Sequence, residues 1–531
     1  QCNLFHEVNG ARLIMASLAK SLGTVALATL ASRILGLVRD LLMAAYFGAG
    51  KVADIFFIAF MIPNLFRRLV AEGALSVSFI PVYTESLVKN GRDKSQRLAS
   101  DVLVLQTFAV SLIAAAGLIL APQITAVFAG DGMSPGLNVL SVNLTRLMLP
   151  FLVLSSFVSF AMGYLNSHGV FFAPAFATVL LNIGMITGIV FLGRFFEQPV
   201  YGAAFGVLLG GMLQVLLQVP YMIRQGFRLS VSFNFRHPDV VRVFSTMIPA
   251  VFGIAAFQVN AMVSNLLAAM IGEGSVSYIY YTTRMTELVF GVFIVSIGNV
   301  MLPEMSRVRA SAESAADMNR ILTRSVSAAL FVALPAAAGL VAAGLPVISV
   351  IFMHGNFTYT DSLMTYRSLV WAGAGLIFMA AARVLIPAFY TFKDTKIPVI
   401  TAAISIALNL LLGYVLMHTS LKHAGLTLAG CAASFVQSLV LIVYITRKPG
   451  MIFSGRIGIQ LVKIVISAAV MGLAVFYAAG FTDWQYGPGH LRGFMLMTII
   501  CGGAVIYFLC ALAFRVDEAH YLYRRVRAYF T

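Results

Sequence analysis

The sequence predicts an all-α polytopic membrane protein of about fourteen transmembrane helices. Three observations predict it. The 531 residues are 60% hydrophobic and 11% charged, whereas a soluble domain is nearer half apolar and a quarter charged. Mean hydropathy is +0.91. The apolar residues gather in runs near the ~20 residues that cross a bilayer as a helix, with short polar breaks between them.

Taken in order, the runs are 22–46, 53–87, 99–121, 140–165, 172–193, 200–223, 244–271, 275–303, 322–345, 363–390, 397–417, 424–446, 457–480 and 492–515. The second is too long for one plain span and holds Pro63, so it is expected to kink or to extend beyond the bilayer. Basic residues set the topology. Lys89, Arg92, Lys94 and Arg97, then Arg224, Arg228, Arg236 and Arg242, then Arg307, Arg309, Arg320 and Arg324 fall in connections on one side, as do Arg515, Arg524, Arg525 and Arg527. Lys51, Arg194, Lys422 and Arg492 are the only ones opposite. The positive-inside rule then places both termini in the cytoplasm with an even number of spans. The net charge of +16 is explained by those connections, and no nucleic-acid partner is expected.

The chain does not open on Met, and Met15 begins a more natural start, MASLAKSLG. Residues 1–14 are therefore read as a non-native or upstream leader and left out of fold reasoning. The longest cytoplasmic connection, about 224–243, divides the spans into six and eight. A faint repeat links the halves. The run from Asp54 (DIFFIAF) to Pro81 echoes the run from Ser277 (SYIYYTTR) to Pro303, and such repeats are typical of transporters with a midplane site. Cys2, Cys431, Cys501 and Cys510 form no CxxC pair and are expected as small buried hydrophobes. His354, His418, His423 and His490 are expected as solvated loop residues.

Charges inside the spans point to function, because each is costly in lipid. At 100° per residue, Ser32, Arg33, Gly36, Arg39 and Asp40 fall in a sector about 120° wide, and the rest of that span is apolar. Gly36 leaves room there for another backbone or a ligand. The second span carries Asp54, Asn64, Arg67, Arg68 and Glu72, with Asp54, Met61, Arg68 and Glu72 near one face. Arg284 and Glu287 form an i,i+3 pair in YYTTRMTE. Arg367 opens the tenth span and Arg383 lies within it. Ion pairs that only lock helices together would account for single residues, Arg39–Asp54 or Arg284–Glu287 among them. They account poorly for arginines that outnumber carboxylates. The surplus suits an anionic substrate, and the choice of Arg suits phosphate. Arg67 and Arg367 are candidates to snorkel at the edge instead. There is no GxxxxGK[ST] loop, no HExxH and no Ser/His/Asp arrangement, so neither ATP driving nor enzymatic activity is expected.

At SRILGLVRD, GAG, ADIFF, PNLFRRLVAEGALS and F-x-P, and again at YYTTRMTELVFGV, LPEMSR, FMHGNFT, IPAFYTFKDTKIPV and LKHAGL, the chain resembles the MurJ family. These are the lipid II flippases of the multidrug/oligosaccharidyl-lipid/polysaccharide exporter superfamily. The resemblance runs from Met15 to about Arg515. It implies two six-helix lobes in a V (15–225 and 226–450) and two further helices lining a groove for the lipid tail (451–515); beyond it, residues 516–531 read by composition as a basic cytoplasmic tail. It implies export of lipid II, the undecaprenyl-diphosphate-linked peptidoglycan precursor, across the bacterial inner membrane by alternating access. The family's essential arginines match Arg33, Arg39, Arg67 and Arg284, its acidic partners match Asp40, Asp54 and Glu287, and a family lysine is replaced by Arg383.

On this reading Arg39, Arg284 and one of Arg67 and Arg68 clamp the diphosphate. Arg33, Asp40, Asp54 and Glu287 then organise pairs that exchange between inward-open and outward-open states. Some relatives use a sodium site, but the runs 244–271, 397–417 and 424–446 hold no carboxylate. No metal or other cofactor is expected, and membrane potential is the expected drive. Cell-wall synthesis or division proteins are expected partners of a monomer, and the RRVRAYF tail suits anionic lipid. The alternatives are a flippase for another polyprenyl-diphosphate-linked oligosaccharide of O-antigen type and a membrane-embedded transferase acting on such a lipid. The short loops leave the latter little room for a catalytic domain.

Overall fold

The computed structural model describes residues 2–530 apart from 70–74, 129–133, 231–233, 235, 311–314 and 449–454. It divides into two compact units, Gln1–Phe47 with Lys51–Gln258, and Gly48–Gly50 with Val259–Thr531. The helices of the first are α1 (Cys2–Phe47), α2 (Lys51–Leu69), α3 (Leu75–Phe128), α4 (Pro135–Met148), α5 (Phe151–Ser167), α6 (Phe172–Val190) and α7 (Val200–Arg224). The helix α8 (Pro238–Ile271) carries the chain into the second, which holds α9 (Ser275–Val289), α10 (Val295–Ala310), α11 (Ala315–Phe352), α12 (Tyr359–Thr391), α13 (Lys396–Met417), α14 (His423–Ile445), α15 (Gly455–Gly480), α16 (His490–Ala513) and α17 (Asp517–Phe530).

Ten stretches among the described residues are helices long and apolar enough to cross a membrane: α3, α4 with α5, α6, α7 and α11 to α16. The described residues form seventeen helices where fourteen spans were expected: α4 and α5 share the run 140–165, α9 and α10 share 275–303, and α17 lies beyond the last run. The run 53–87 is described on both sides of 70–74, which lie outside the described residues. Pro63 sits inside α2, which ends at Leu69, and the remainder starts α3. Gly91, whose φ of 77° a residue with a Cβ adopts only at a cost, divides α3 into two helical segments within the expected polar break between the runs 53–87 and 99–121. The run 275–303 is α9 and α10 joined by a π-helical turn over Phe290–Ile294.

Packing follows what lipid allows. With no hydrophobic drive between helices, close approach and polar contacts hold them together. On α13 the buried face is Thr401, Ser405, Asn409 and Gly413, while Leu410, Leu411, Tyr414 and Val415 are exposed. The first unit has its core at Phe79, Tyr83, Phe160 and Tyr164, which join α3 to α5. The second has one between α10, α11, α12 and α14 around Leu322, Leu385 and Phe389. A further cluster seats α15 and α16 on α11.

Glycines set the closest contact. On α7, a Cβ added to Gly206 would stand 2.7 Å from the carbonyl oxygen of Gly184 on α6, and one on Gly210 would stand 2.9 Å from Leu181 Cα. Two side-chain expectations are corrected. His423 is buried, not solvated, and its Nε2 lies 3.0 Å from the Met364 carbonyl. Cys501 is exposed and Cys431 and Cys510 are half-buried, so none of these three is a fully buried core residue.

Outside the spans, Asp394 closes the turn between α12 and α13. Its Oδ1 accepts from the backbone N–H groups of Lys396 and Ile397 at 3.2 and 3.3 Å, and its Oδ2 accepts from Lys448 Nζ at 2.6 Å. The Lys448 ammonium holds this carboxyl below the usual carboxylate range.

Two outcomes follow for the purified protein. Gly206→Ala should lower the thermal midpoint in detergent, by an overpacking cost of about 1–3 kcal/mol. Gly502→Ala, where an added Cβ meets nothing within 4 Å, should leave it unchanged. Because the Asp394 pKa is lower folded than unfolded, its contribution is present above the unfolded value of about 4 and lost as pH falls through the folded one. Asp394→Asn should therefore cost up to about 1 kcal/mol at pH 7, and the gap from wild type should close on acidification in a pH series of melts.

Candidate functional site

In the first unit the polar stripe of α1 is built around Arg39. Its Nε and Nη2 donate to Asp40 Oδ1 at 3.0 and 2.7 Å, and its Nη1 donates to Asn182 Oδ1 at 3.0 Å. Arg39 is 7% exposed and Asp40 2%, so this is a buried, charge-assisted arrangement. Adjacent residues on a helix do not normally face each other. The length of the Arg side chain lets it fold back onto its neighbour while reaching α6. Asn182 completes the arrangement. Its Nδ2 donates to the carbonyls of Ser32 at 3.0 Å and Thr178 at 3.2 Å, so one amide satisfies the guanidinium and ties α6 to α1. Gly36 faces this amide, and an added Cβ there would stand 3.8 Å from Asn182 Nδ2. The glycine thus admits a side chain of α6, where the sequence suggested a backbone or a ligand.

The remaining candidates of this unit lie on α1 and α2. Arg33 is half-buried on α1. Asp54 is 7% exposed in the first turn of α2, where the helix dipole favours an anion. Arg67 and Arg68 are half-buried in its last turn, where the dipole favours cations. Arg67 is turned back on its own helix, with Nε and Nη2 donating to Asn64 Oδ1 at 3.1 and 3.0 Å. Glu72 lies outside the described residues.

In the second unit the candidate face is on α9. Tyr278, Tyr281 and Thr282 fall on one side and Tyr280, Arg284 and Glu287 on the other, as 100° per residue requires. The first side is fastened. Tyr278 Oη donates to Asp361 Oδ1 at 3.1 Å, Tyr281 Oη to the Gly48 carbonyl at 3.2 Å and Thr282 Oγ1 to the Thr365 carbonyl at 3.1 Å. On the second side Arg284 Nη1 donates to Glu287 Oε2 at 2.7 Å and Nη2 to Tyr280 Oη at 3.1 Å, and the guanidinium lies 4.8 Å from the Tyr280 ring centroid. Here the side chains are 24% and 42% exposed, so the pair is reachable where Arg39 is enclosed. Arg383 is exposed on α12 and forms no hydrogen bond or ion pair with a described residue. Its carbonyl comes within 3.2 Å of where a Cβ on Gly298 would lie, which brings α10 against α12. Arg367 is exposed near the start of α12.

Among the described residues no three His, Cys, Asp or Glu side chains converge as metal ligands would. Asn182 and Tyr280 are the participants that sequence reasoning passed over. The signal for Asn182 was present, a lone amide in the apolar run VLLNIG.

A bundle with ten helical stretches, among the described residues, long and apolar enough to cross a membrane, in which Arg39 is oriented by a carboxylate and an amide and Arg284 by a carboxylate and a phenol, has the build of a membrane transporter rather than an enzyme. Comparison with known proteins narrows the class. A family model described as lipid II flippase MurJ matches residues 43–496, and the chain belongs to that family. A lipid II flippase MurJ of Burkholderia cenocepacia is 33% identical over 96% of this chain and 100% of its own. A probable lipid II flippase MurJ of Haemophilus influenzae is 31% identical over 93% and 99%. A solved lipid II flippase MurJ in an inward closed conformation superposes with a TM-score of 0.79 at 25% identity, covering 92% of this chain and 98% of that one. An inward-facing transporter of the MATE family, in the MOP superfamily, shares the fold with a TM-score of 0.65 at 14% identity, over 81% and 96%.

Asn182→Ala should destabilise the protein by about 1–3 kcal/mol, the penalty for leaving buried partners unsatisfied. Thermal melts in detergent measure this, and an unchanged midpoint would remove Asn182 from the arrangement.

Proposed function

We propose that the chain moves lipid II from the inner to the outer leaflet of the bacterial cytoplasmic membrane by alternating access, and that its arginines neutralise the diphosphate. The observation that carries the reading is Arg39, a guanidinium enclosed in an apolar span and oriented by Asp40 and Asn182, in a chain that belongs to the lipid II flippase family. Arginine matches this anion because its planar fork binds phosphate oxygens in pairs and stays charged at every physiological pH.

Arg284, oriented by Tyr280 and Glu287, is the corresponding phosphate contact of α9, with Arg67 or Arg68 contributing from α2. Arg33 and Arg383 supply further positive charge, and Asp54 serves with Asp40 and Glu287 as a partner that releases or recaptures an arginine. Membrane potential drives the cycle, which is consistent with the lack of carboxylates in 244–271, 397–417 and 424–446. Both termini are cytoplasmic, in keeping with the side on which the basic connections gather.

The test is complementation of a bacterium depleted of its own flippase, with an assay for lipid II reaching the outer leaflet. Wild type should restore transport, while Arg39→Ala and Arg284→Ala should each reduce it at least ~10-fold, the scale of one lost charge-assisted hydrogen bond. Failure of a well-inserted wild type would transfer the reading to another polyprenyl-diphosphate-linked oligosaccharide. Rescue by both variants would keep the transport and abolish the arginine contact.

A further inference from the structure

The end of the chain carries a surface that the transport reading does not use. The span α16 closes in a Schellman turn, with Val516 N donating to Ala511 O at 2.8 Å and Arg515 N to Leu512 O at 3.0 Å. Arg515 occupies the left-handed position at φ 55°, where glycine is usual. Lys463 Nζ on α15 donates to the Arg515 carbonyl at 3.4 Å. Val516 and Ala519 are fully buried in the cluster that joins α11, α15 and α16. The first turn of α17 is thus pinned to the bundle, and the chain turns sharply as it leaves the span.

Every residue from 521 to 528 is exposed, including Leu522 at 44%, Tyr523 at 48% and Val526 at 56%. At 100° per residue Ala519, Leu522, Tyr523 and Val526 fall within about 100° of one another. Arg524, Arg525 and Arg527 occupy the remaining circumference. The two carboxylates, Asp517 and Glu518, stand in the first turn, at the pinned end and away from the arginines. Arg525 lies 5.4 Å from the Tyr521 ring centroid. This is the composition of a helix that lies in a membrane interface, apolar and aromatic on one face and basic on the other.

Its position leaves it there. Residues 514–516 separate α17 from α16, a tether of at most about 14 Å, and the headgroup zone of one leaflet is about 5–8 Å deep. A helix begun so close to the hydrocarbon, pinned at its first turn and apolar along one face, has the headgroups of the same membrane as its nearest neighbour. We infer that α17 docks on an anionic bilayer surface, with Leu522, Tyr523 and Val526 entering the interface and Arg524, Arg525 and Arg527 taking the headgroup phosphates.

The experiment is hydrogen–deuterium exchange on the full chain in nanodiscs, one set of phosphatidylglycerol with phosphatidylethanolamine and one of phosphatidylcholine alone. Exchange across 520–528 should be at least ~10-fold slower on the anionic lipid, given the attraction of each arginine to a charged leaflet. The triple variant Arg524→Gln, Arg525→Gln, Arg527→Gln should lose that difference while exchange in α16 stays as in wild type, which shows that the fold is intact. A nitroxide at Leu522→Cys, in a chain with its native cysteines replaced, should gain protection from a soluble nickel relaxant on the anionic discs only. Equal exchange on both lipids, or protection that survives the triple substitution, overturns the proposal. Rapid exchange and full nickel access in both overturn it too, and leave the face to a protein.

Discussion

A charge among apolar helices is costly unless the protein or trapped water supplies its partners. Arg39 with Asp40 and Asn182 is the place where this chain meets that demand most completely, and much of the first unit follows from it. The amide at 182 has to be on α6, because it must reach both the guanidinium and the Ser32 carbonyl. Gly36 lies beside that amide, with room for no more than an ordinary contact. Arg284 answers the same demand differently. Two of its partners, Glu287 and Tyr280, lie on its own helix, one turn either way, and the ion pair is partly exposed. Breaking a buried pair costs about 3–5 kcal/mol, while an exposed pair contributes at most about 1 kcal/mol. The two arginines are therefore held with very different firmness.

The same solvent accounts for how the helices meet. Between apolar surfaces already in lipid there is nothing to gain from burying more of them. Contact comes instead from glycines that let α6 and α7 touch backbone to backbone, and from hydroxyls and amides that bond across helices. Gln106 on α3 donates to the carbonyl and hydroxyl oxygens of Ser156 on α5. Asn409 on α13 donates to Asn260 and Ser264 on α8.

How much of this could be read beforehand depends on what each feature consists of. Span positions are carried by composition, so the runs over 172–193, 200–223, 397–417 and 424–446 correspond closely to α6, α7, α13 and α14. The breaks are carried by backbone geometry. The break at Gly91 falls in the charged stretch between two expected runs, whereas the π-helical turn at Phe290–Ile294, inside the run 275–303, has no compositional mark. The charged candidates stood out by residue type, and Arg284 with Glu287 was legible because a three-residue spacing fixes who can meet on a helix. The partner of Arg39 was not. Asn182 is 143 residues away, and only the tertiary fold says which of several apolar-run amides arrives there. His423 was misjudged for a related reason. Position between spans suggested water, while the fold gave it the Met364 carbonyl.

The helix α13, polar within and apolar without, has one more consequence. Its inner face is specified residue by residue, since Asn409 must match Asn260 and Gly413 must leave room for Leu267. Its outer face, Leu410, Leu411, Tyr414 and Val415, is asked only to be greasy, a requirement on the sum and not on the spelling. Such a surface can drift through many apolar sequences while the interior holds still. In this chain the memory of the fold is kept mainly on the sides the membrane never touches.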